Sequence, residues 1–466
     1  MSICQLRFSV PAPAVHCKQF PVRGAFGLFA AGLAAGMAHA QCTASWTPGF
    51  EATGRGMSGG VHALITFDDG TGPALYAGGS FTTAGGVAVN GIARWNGTAW
   101  SAVGGGVAGT FPDVAALAVY DSDGPGPGVA RLHAAGFFTS AGGVAANNIA
   151  SWDGTAWSAL GAGTAGNTGI NCLAVFGDHL YAGGSFTSAG GAPANYISRW
   201  DGSAWAWPGG ASNGTSGGVY ALAVYGGALY AGGAFPTAGT TTSARFIARW
   251  TTAGWSDLAG GLTTTVYALS VFDDGSGPAL YAGGNFTGTF AGLPASRIAR
   301  WNGAAWSALG TGVAARVRGL VVFDDTNGPA LYATGDSGPG APGISKWSGG
   351  AWSALGAGLV GAGRTMAAFD DDAGGPIPPS LYVGGDFSHA GGLPSSNFAR
   401  WGCGVCYANC DSSTTAPVLN VNDFICFQQK YAAGDAYANC DGSTTPPVLN
   451  VNDFVCFQQK YAAGCP

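Results

Sequence analysis

The chain has 466 residues, 83 of them glycine; 47% are hydrophobic, 9% are charged, and the net charge is −6. Low charge combined with 12% aromatic residues excludes a disordered chain, which needs high charge and few aromatics. The negative balance and the lack of a basic run argue against nucleic acid and anionic membranes as partners.

Residues 1–40 read as an export signal. Lys18 and Arg23 precede the apolar run "GAFGLFAAGLAAGMAHA", and the small residues Ala38 and Ala40 suit cleavage before Gln41. The run is short and rich in Gly and Ala, against the roughly 20 apolar residues a membrane span needs. The expected location is therefore secreted, extracellular or at the cell surface. Export makes disulfides the expected state of Cys42, Cys403, Cys406, Cys410, Cys426, Cys440, Cys456 and Cys465. Zinc at Cys403 and Cys406 is the rival, disfavoured because no histidine lies nearby. Cys172 alone lies inside the repeats and reads as a small core residue.

From 41 to 402 the chain repeats itself about every 50 residues. A "LYAGG"-type motif places Tyr76, His133, Tyr181, Tyr230, Tyr281, Tyr332 and Tyr382, and an "RW"-type motif places Trp95, Trp152, Trp200, Trp250, Trp301, Trp347 and Trp401. Each unit predicts four strands: "ALITF" ending at Phe67, "ALYAGGSF", "GIARW" and "TAWSAVG". The pair Asn96-Gly97 predicts a two-residue hairpin turn between the last two. Seven four-stranded units predict an all-β, seven-bladed β-propeller, with a parallel β-helix as the rival. Six units carry a tryptophan pair, the third with Trp207 besides, while the seventh carries only Trp401. The stretch "QCTASWTPGFEATGRGMSGGV" holds Trp46, so the N-terminal strand is expected to complete the seventh blade. Cys42 would then meet Cys403 or Cys406 at the closure.

The unit resembles the kelch repeat of galactose-oxidase-like propellers. The resemblance rests on the strand ending in Gly78–Gly79, Gly183–Gly184 or Gly283–Gly284, a following aromatic, a turn, and the later tryptophan of "RWNGTAW". The family usually has tyrosine before the last turn, where this chain has tryptophan. The resemblance implies the fold and leaves the activity open.

The invariant tryptophans and glycines read as packing. What varies is the position five residues before the aromatic that ends each first strand: His62, Ala115, Asn171, Tyr220, Tyr267, Arg318 and Arg364. On innermost strands these would ring one mouth of the channel. His62, Asn171, Tyr220, Tyr267, Arg318 and Arg364 are therefore the candidate ligand-binding residues, able to hydrogen-bond, stack and pair with anions. The turns at Asp68–Asp69, Asp273–Asp274, Asp324–Asp325 and Asp370–Asp372 read as hairpin turns before calcium sites. No catalytic residues stand out: the histidines occupy unrelated places in their units, and neither a Gly-x-Ser-x-Gly elbow nor a zinc-helix motif occurs.

From Tyr407 two near-identical copies follow, "YANCDSSTTAPVLNVNDFICFQQKYAAG" and "YANCDGSTTPPVLNVNDFVCFQQKYAAG". Oxygen-bearing side chains alternate at Asn409, Asp411 and Ser413 and at Asn439, Asp441 and Ser443. Asn420 and Asp423, or Asn450 and Asp453, end each loop. Calcium takes six to eight oxygens from such loops. Helical spacing of Phe424, Phe427 and Tyr431, and of Phe454, Phe457 and Tyr461, predicts a helix after each loop. Residues 403–466 resemble a type I dockerin, a tandem of EF-hand-like calcium loops. The loops are longer than the twelve residues of an EF-hand, and Asn stands first where Asp is usual. The resemblance implies calcium as cofactor and a cohesin-like or other cell-surface protein as partner. Gln428, Gln429, Lys430, Gln458, Gln459 and Lys460 are expected on the exposed side. The sequence thus reads as a secreted, non-catalytic binding or scaffold protein, with carbohydrate among the candidate ligands. The alternative is a polysaccharide-active enzyme delivered to a complex by its tail.

Overall fold

The computed structural model describes residues 44–51, 54–122, 129–165, 169–207, 214–240, 243–372, 378–402, 421–433 and 451–463. The chain is predominantly β, in many small antiparallel sheets, with two short helices. Among the described residues seven sheets share one four-strand path. The first runs Val61–Asp68, Pro73–Gly79, Ile92–Trp95 and Trp100–Ala102. The sixth runs Val317–Asp324, Pro329–Gly338, Ala341–Trp347 and Trp352–Ala354. The seventh takes three strands from 359–402 and its fourth from Ser45–Trp46, in register Trp46↔Trp401. The leftover tryptophan therefore pairs where the count of tryptophans places it. Each first strand lies beside the first strand of the next sheet, and the seventh lies beside the first. The named strand pairs are all antiparallel, which removes the parallel β-helix and leaves a propeller-like architecture.

The Gly-Gly pairs have two separate jobs. A Cβ on the first glycine would strike the valine that opens the next sheet: Gly78 meets Val114, Gly183 meets Val219, Gly283 meets Val317, and Gly384 meets Val61, each at 2.4–2.6 Å. A Cβ on the second, or on its equivalent Gly335 after Thr334, would strike the backbone carbonyl just before its own first strand, 2.0 Å away for Gly79 on Gly60 and 1.8 Å for Gly335 on Arg316. The second contact coincides with a β-bulge. In every one of the seven sheets one residue of the first strand is skipped in the pairing, as His62 is between Val61 and Ala63. A bulge bends the strand and re-aims a side chain. Here it requires a glycine opposite.

The other motif residues build seams. In four sheets the second aspartate of the turn accepts from the motif tyrosine and faces a cation: Asp69 with Tyr76 and Arg94, Asp274 with Tyr281 and Arg300, Asp325 with Tyr332 and Lys346, Asp371 with Tyr382 and Arg400. The first aspartate closes the turn itself, as when Gly70 N–H donates to Asp68 Oδ1 at 2.9 Å. The turn at Asn96-Gly97 differs from expectation. Trp95 pairs with Trp100, so residues 96–99 all lie in the loop. Asn96 Oδ1 accepts from Thr98 N–H and Ala99 N–H at 3.0 and 2.8 Å, and only Gly97 needs positive φ. The side chain itself organises the turn, which removes the need for a two-residue loop. Between the second and third strands lie short extra strand pairs, such as Thr83–Ala84 with Val87–Ala88. Cys172 is free and buried, as a core residue should be.

Helices α1 (Val421–Ala433) and α2 (Val451–Ala463) meet through equivalent residues. Phe427 stacks on Phe457 at 4.0 Å, Phe424 meets Phe454 at 5.5 Å, and the crossed pairs Phe424–Phe457 and Phe427–Phe454 lie at 6.2 and 6.0 Å. Reciprocal contacts of this kind are the signature of a local two-fold relation. Both Phe427 and Phe457 are fully buried.

Replacing Gly79 by Ala should cost about 1–3 kcal/mol through overpacking against the Gly60 carbonyl; urea unfolding followed by tryptophan fluorescence reads the loss. An alanine at exposed Gly350, which meets nothing within 4 Å, should be close to neutral in the same measurement.

Candidate functional site

All seven variable positions are the bulged residues. His62, Ala115, Asn171, Tyr220, Tyr267, Arg318 and Arg364 are each skipped in the pairing of their own sheet, and each is half-buried. The six polar ones form two runs of contacts across neighbouring sheets. Ala115 brings no polar group.

The first run is ionic. His62 shares a hydrogen bond with Asp113 of the second sheet, Nδ1 to Oδ1 at 2.7 Å, and its Nε2 lies 3.8 Å from Asp386 of the seventh. Arg364 pairs with the same Asp386. Burial pulls the imidazole down, but hydrogen bonds to Asp113 and Asp386 overcome it and hold His62 at about 9. The His62 hydrogen bond in turn holds Asp386 near 2, against its burial and with help from Arg364. A carboxyl held so low stays ionised and cannot serve as a general acid near neutral pH.

The second run is aromatic and cationic. Tyr220 stacks on Tyr267 with ring centres 5.4 Å apart and 27° between planes. Arg316 lies over Tyr267 at 5.6 Å. Arg316 and Arg318 both pair with Asp336, at 3.1 and 2.7 Å. Asn171 Nδ2 donates to the Val219 carbonyl at 3.1 Å, so part of its capacity is spent on the fold.

The acids of these runs were not legible as site residues. Asp336 and Asp386 occupy the place of Ser80 in the first unit, directly after the Gly-Gly pair or its equivalent, and only the sixth and seventh units have aspartate there. That departure from the repeat was the available signal. Asp113 had none, because its importance comes from the sheet next door.

The calcium reading falls mostly elsewhere. Asn409, Asp411, Ser413, Asn420, Asn439, Asp441, Ser443 and Asn450 lie outside the described residues, as do residues 1–40, Cys42, Cys403, Cys406, Cys410, Cys440 and Cys465. Asp423 lies in the first turn of α1, and its side chain is not among those described. Asp453 lies in the first turn of α2 with its side chain fully buried. Cys426 and Cys456 are disulfide-bonded. Gln428, Gln429 and Gln458 are exposed and Lys430 is half-buried; the side chains of Gln459 and Lys460 lie outside the described set. Among the described residues no group of three or more His, Cys, Asp or Glu could hold a metal ion, and no helix is long and apolar enough to cross a membrane.

No family model matches the sequence, and no curated protein matches it. Solved structures are similar in part. The computationally designed Ika8 protein matches with a TM-score of 0.42 and 12% identity, over 77% of this chain and 98% of that one. The extracellular domain of what is described as a one component system of B. thetaiotaomicron matches with a TM-score of 0.46 and 10% identity, over 79% of this chain. This chain spans 42% of that protein's length.

His62 gives a pH dependence with a definite sign. Its ordinary value of 6.5 rises to about 9 in the fold, so its stabilising share is complete below 6.5 and fades as pH climbs through 9. The urea midpoint should fall between pH 7 and pH 10, and His62→Gln should flatten that fall.

Proposed function

We propose that the chain is a secreted, non-catalytic binding protein, built as a seven-bladed, kelch-like propeller followed by a dockerin-like pair of calcium loops. The ligand site is the mouth lined by the bulged residues of the innermost strands. One observation carries this reading: seven sheets repeat one backbone device at one position, and in six of them the side chain there is His, Asn, Tyr or Arg. A structural repeat would keep such positions uniform. Their chemistry suits a carbohydrate or a protein loop, with Tyr220 and Tyr267 offering a stacking face and the ionic run offering hydrogen bonds. Asp386, held ionised, would not serve as the general acid of glycoside hydrolysis.

The tail supplies attachment. Asn409, Asp411, Ser413, Asn420 and Asp423 would hold one calcium ion, and Asn439, Asp441, Ser443, Asn450 and Asp453 the other. Asp453, one of these, lies at the start of α2. Calcium would supply the charge that lets the loops order. The two-fold pairing of the helices would then present two similar faces, with Gln428 and Gln458 exposed on them. A cohesin-like or other cell-surface protein is the partner this arrangement suits.

Two experiments test the reading on the full mature chain. On a glycan array and on the source cell envelope, Tyr220→Ala combined with Tyr267→Ala should weaken binding by about 1–3 kcal/mol of lost stacking; unchanged binding would remove the mouth as the site. In a calcium titration by calorimetry, the parent should bind two ions, and Asp411→Ala with Asp441→Ala should bind none. Heat identical in both proteins would remove the calcium reading and leave the mouth untouched.

A further inference from the structure

Six of the seven sheets bury a phenylalanine at one place: Phe81, Phe138, Phe186, Phe235, Phe286 and Phe387. Each fills the seam between its own sheet and the one before, as Phe138 does beside Val103 and Val107. The sixth sheet has Ser337 there, and its connection is shorter, "GDSGPGAPGI" where the first has "GSFTTAGGVAVNGI". The Ser337 hydroxyl accepts from the Gly361 N–H of the seventh sheet at 2.8 Å. A cleft of about 520 Å³ opens between the fifth and sixth sheets, within the size range of small-molecule sites.

The same seam also lacks its clasp. In five seams the outer tryptophan donates its indole N–H to the preceding sheet or segment: Trp46 to Leu355, Trp100 to Arg55, Trp157 to Val103, Trp205 to Leu160 and Trp306 to Leu258, at 2.8–3.1 Å. Trp352, the equivalent in the sixth sheet, lines the cleft, and its Nε1 is buried without a hydrogen-bond partner. An unpaired buried donor is costly, and a ligand acceptor would satisfy it.

The charges lining the cleft do not balance. They are Arg297, Arg316 and Asp336. Asp336 already serves Arg318 as well as Arg316, while Arg297, among the described residues, donates to a peptide carbonyl, that of Val313 at 3.2 Å, and pairs with no carboxylate. A second carboxylate is what this lining lacks. Ser296 and Thr311 add hydroxyls that match a ligand's own. We propose that the cleft between the fifth and sixth sheets binds a small acidic sugar of the uronic acid type. Its carboxylate meets the arginines, and its hydroxyls meet Asp336, the serine and threonine, and the Trp352 indole.

The cleft shares Arg316 and Asp336 with the aromatic and cationic run at the mouth and no residue with the ionic run, and its test leaves His62, Tyr220 and Tyr267 unchanged. Galacturonic acid, glucuronic acid and neutral galactose are titrated into the full mature chain by calorimetry and by saturation-transfer NMR. At least one uronic acid should bind, about tenfold or more tighter than galactose, the difference expected for a charge-assisted pair. Arg297→Gln removes a lining charge that faces no carboxylate and should weaken uronic acid binding about tenfold or more. Trp352→Phe removes the N–H and should weaken binding several-fold. The proposal is overturned if neither uronic acid binds, if galactose binds equally well, or if Arg297→Gln binds like the parent. Should Arg297→Gln not fold, Trp352→Phe decides, and unchanged affinity there overturns the proposal.

Discussion

A glycine opposite a bulge is the constraint on which this molecule depends. The backbone of each first strand folds outward by one residue, and its carbonyl then occupies the space where a partner's Cβ would stand. Only glycine tolerates that approach. In exchange one side chain per sheet leaves the pairing pattern and turns toward its counterparts. The neighbouring glycine, or its equivalent, lets the valine of the next sheet come close, so sheet-to-sheet packing and the aiming of the variable residue are settled within two adjacent positions. This explains how a chain with so few charged residues concentrates several of them in one place.

Around that device the repeats divide the work by surface. Tyrosine, aspartate and a cation tie the turn of one strand pair to the third strand. Tryptophan N–H groups clasp one sheet to the previous one. Phenylalanine fills the same seam from within. These are uniform because every seam poses the same packing problem. Departures from uniformity are then informative. The bulged residues depart in all the sheets, the sixth sheet alone lacks the phenylalanine, and its outer tryptophan N–H is unclaimed. A repeat architecture makes such differences visible because each unit is a control for the others.

The helical pair follows a different rule. Duplicated sequence gives duplicated faces, and the stacking of Phe427 on Phe457 joins the copies by the contact each would make with a twin. Asp453 is buried at the start of α2, so whatever partners it makes are part of how the helix is held.

The sequence by itself determined the repeat, its number, its four-strand content and the borrowing of the N-terminal strand. Tryptophan pairs, glycine pairs and turn residues are local signals, and counting them locates Trp46 beside Trp401. It also located the seven variable positions, because they interrupt an otherwise constant alternation. The tertiary structure alone decided what surrounds them. Asp113 and Asp386 reach His62 from the sheets on either side, and Tyr220 stacks on Tyr267 from the next sheet. Such contacts join residues far apart in the chain, so no periodicity records them. The bulge was likewise hidden: one skipped residue in a strand leaves the hydrophobic pattern almost unchanged, and its only trace is the glycine across from it. The cleft was hidden for the opposite reason. A missing phenylalanine and an unmatched indole become a cavity only when the sheets on both sides are in place to leave it empty.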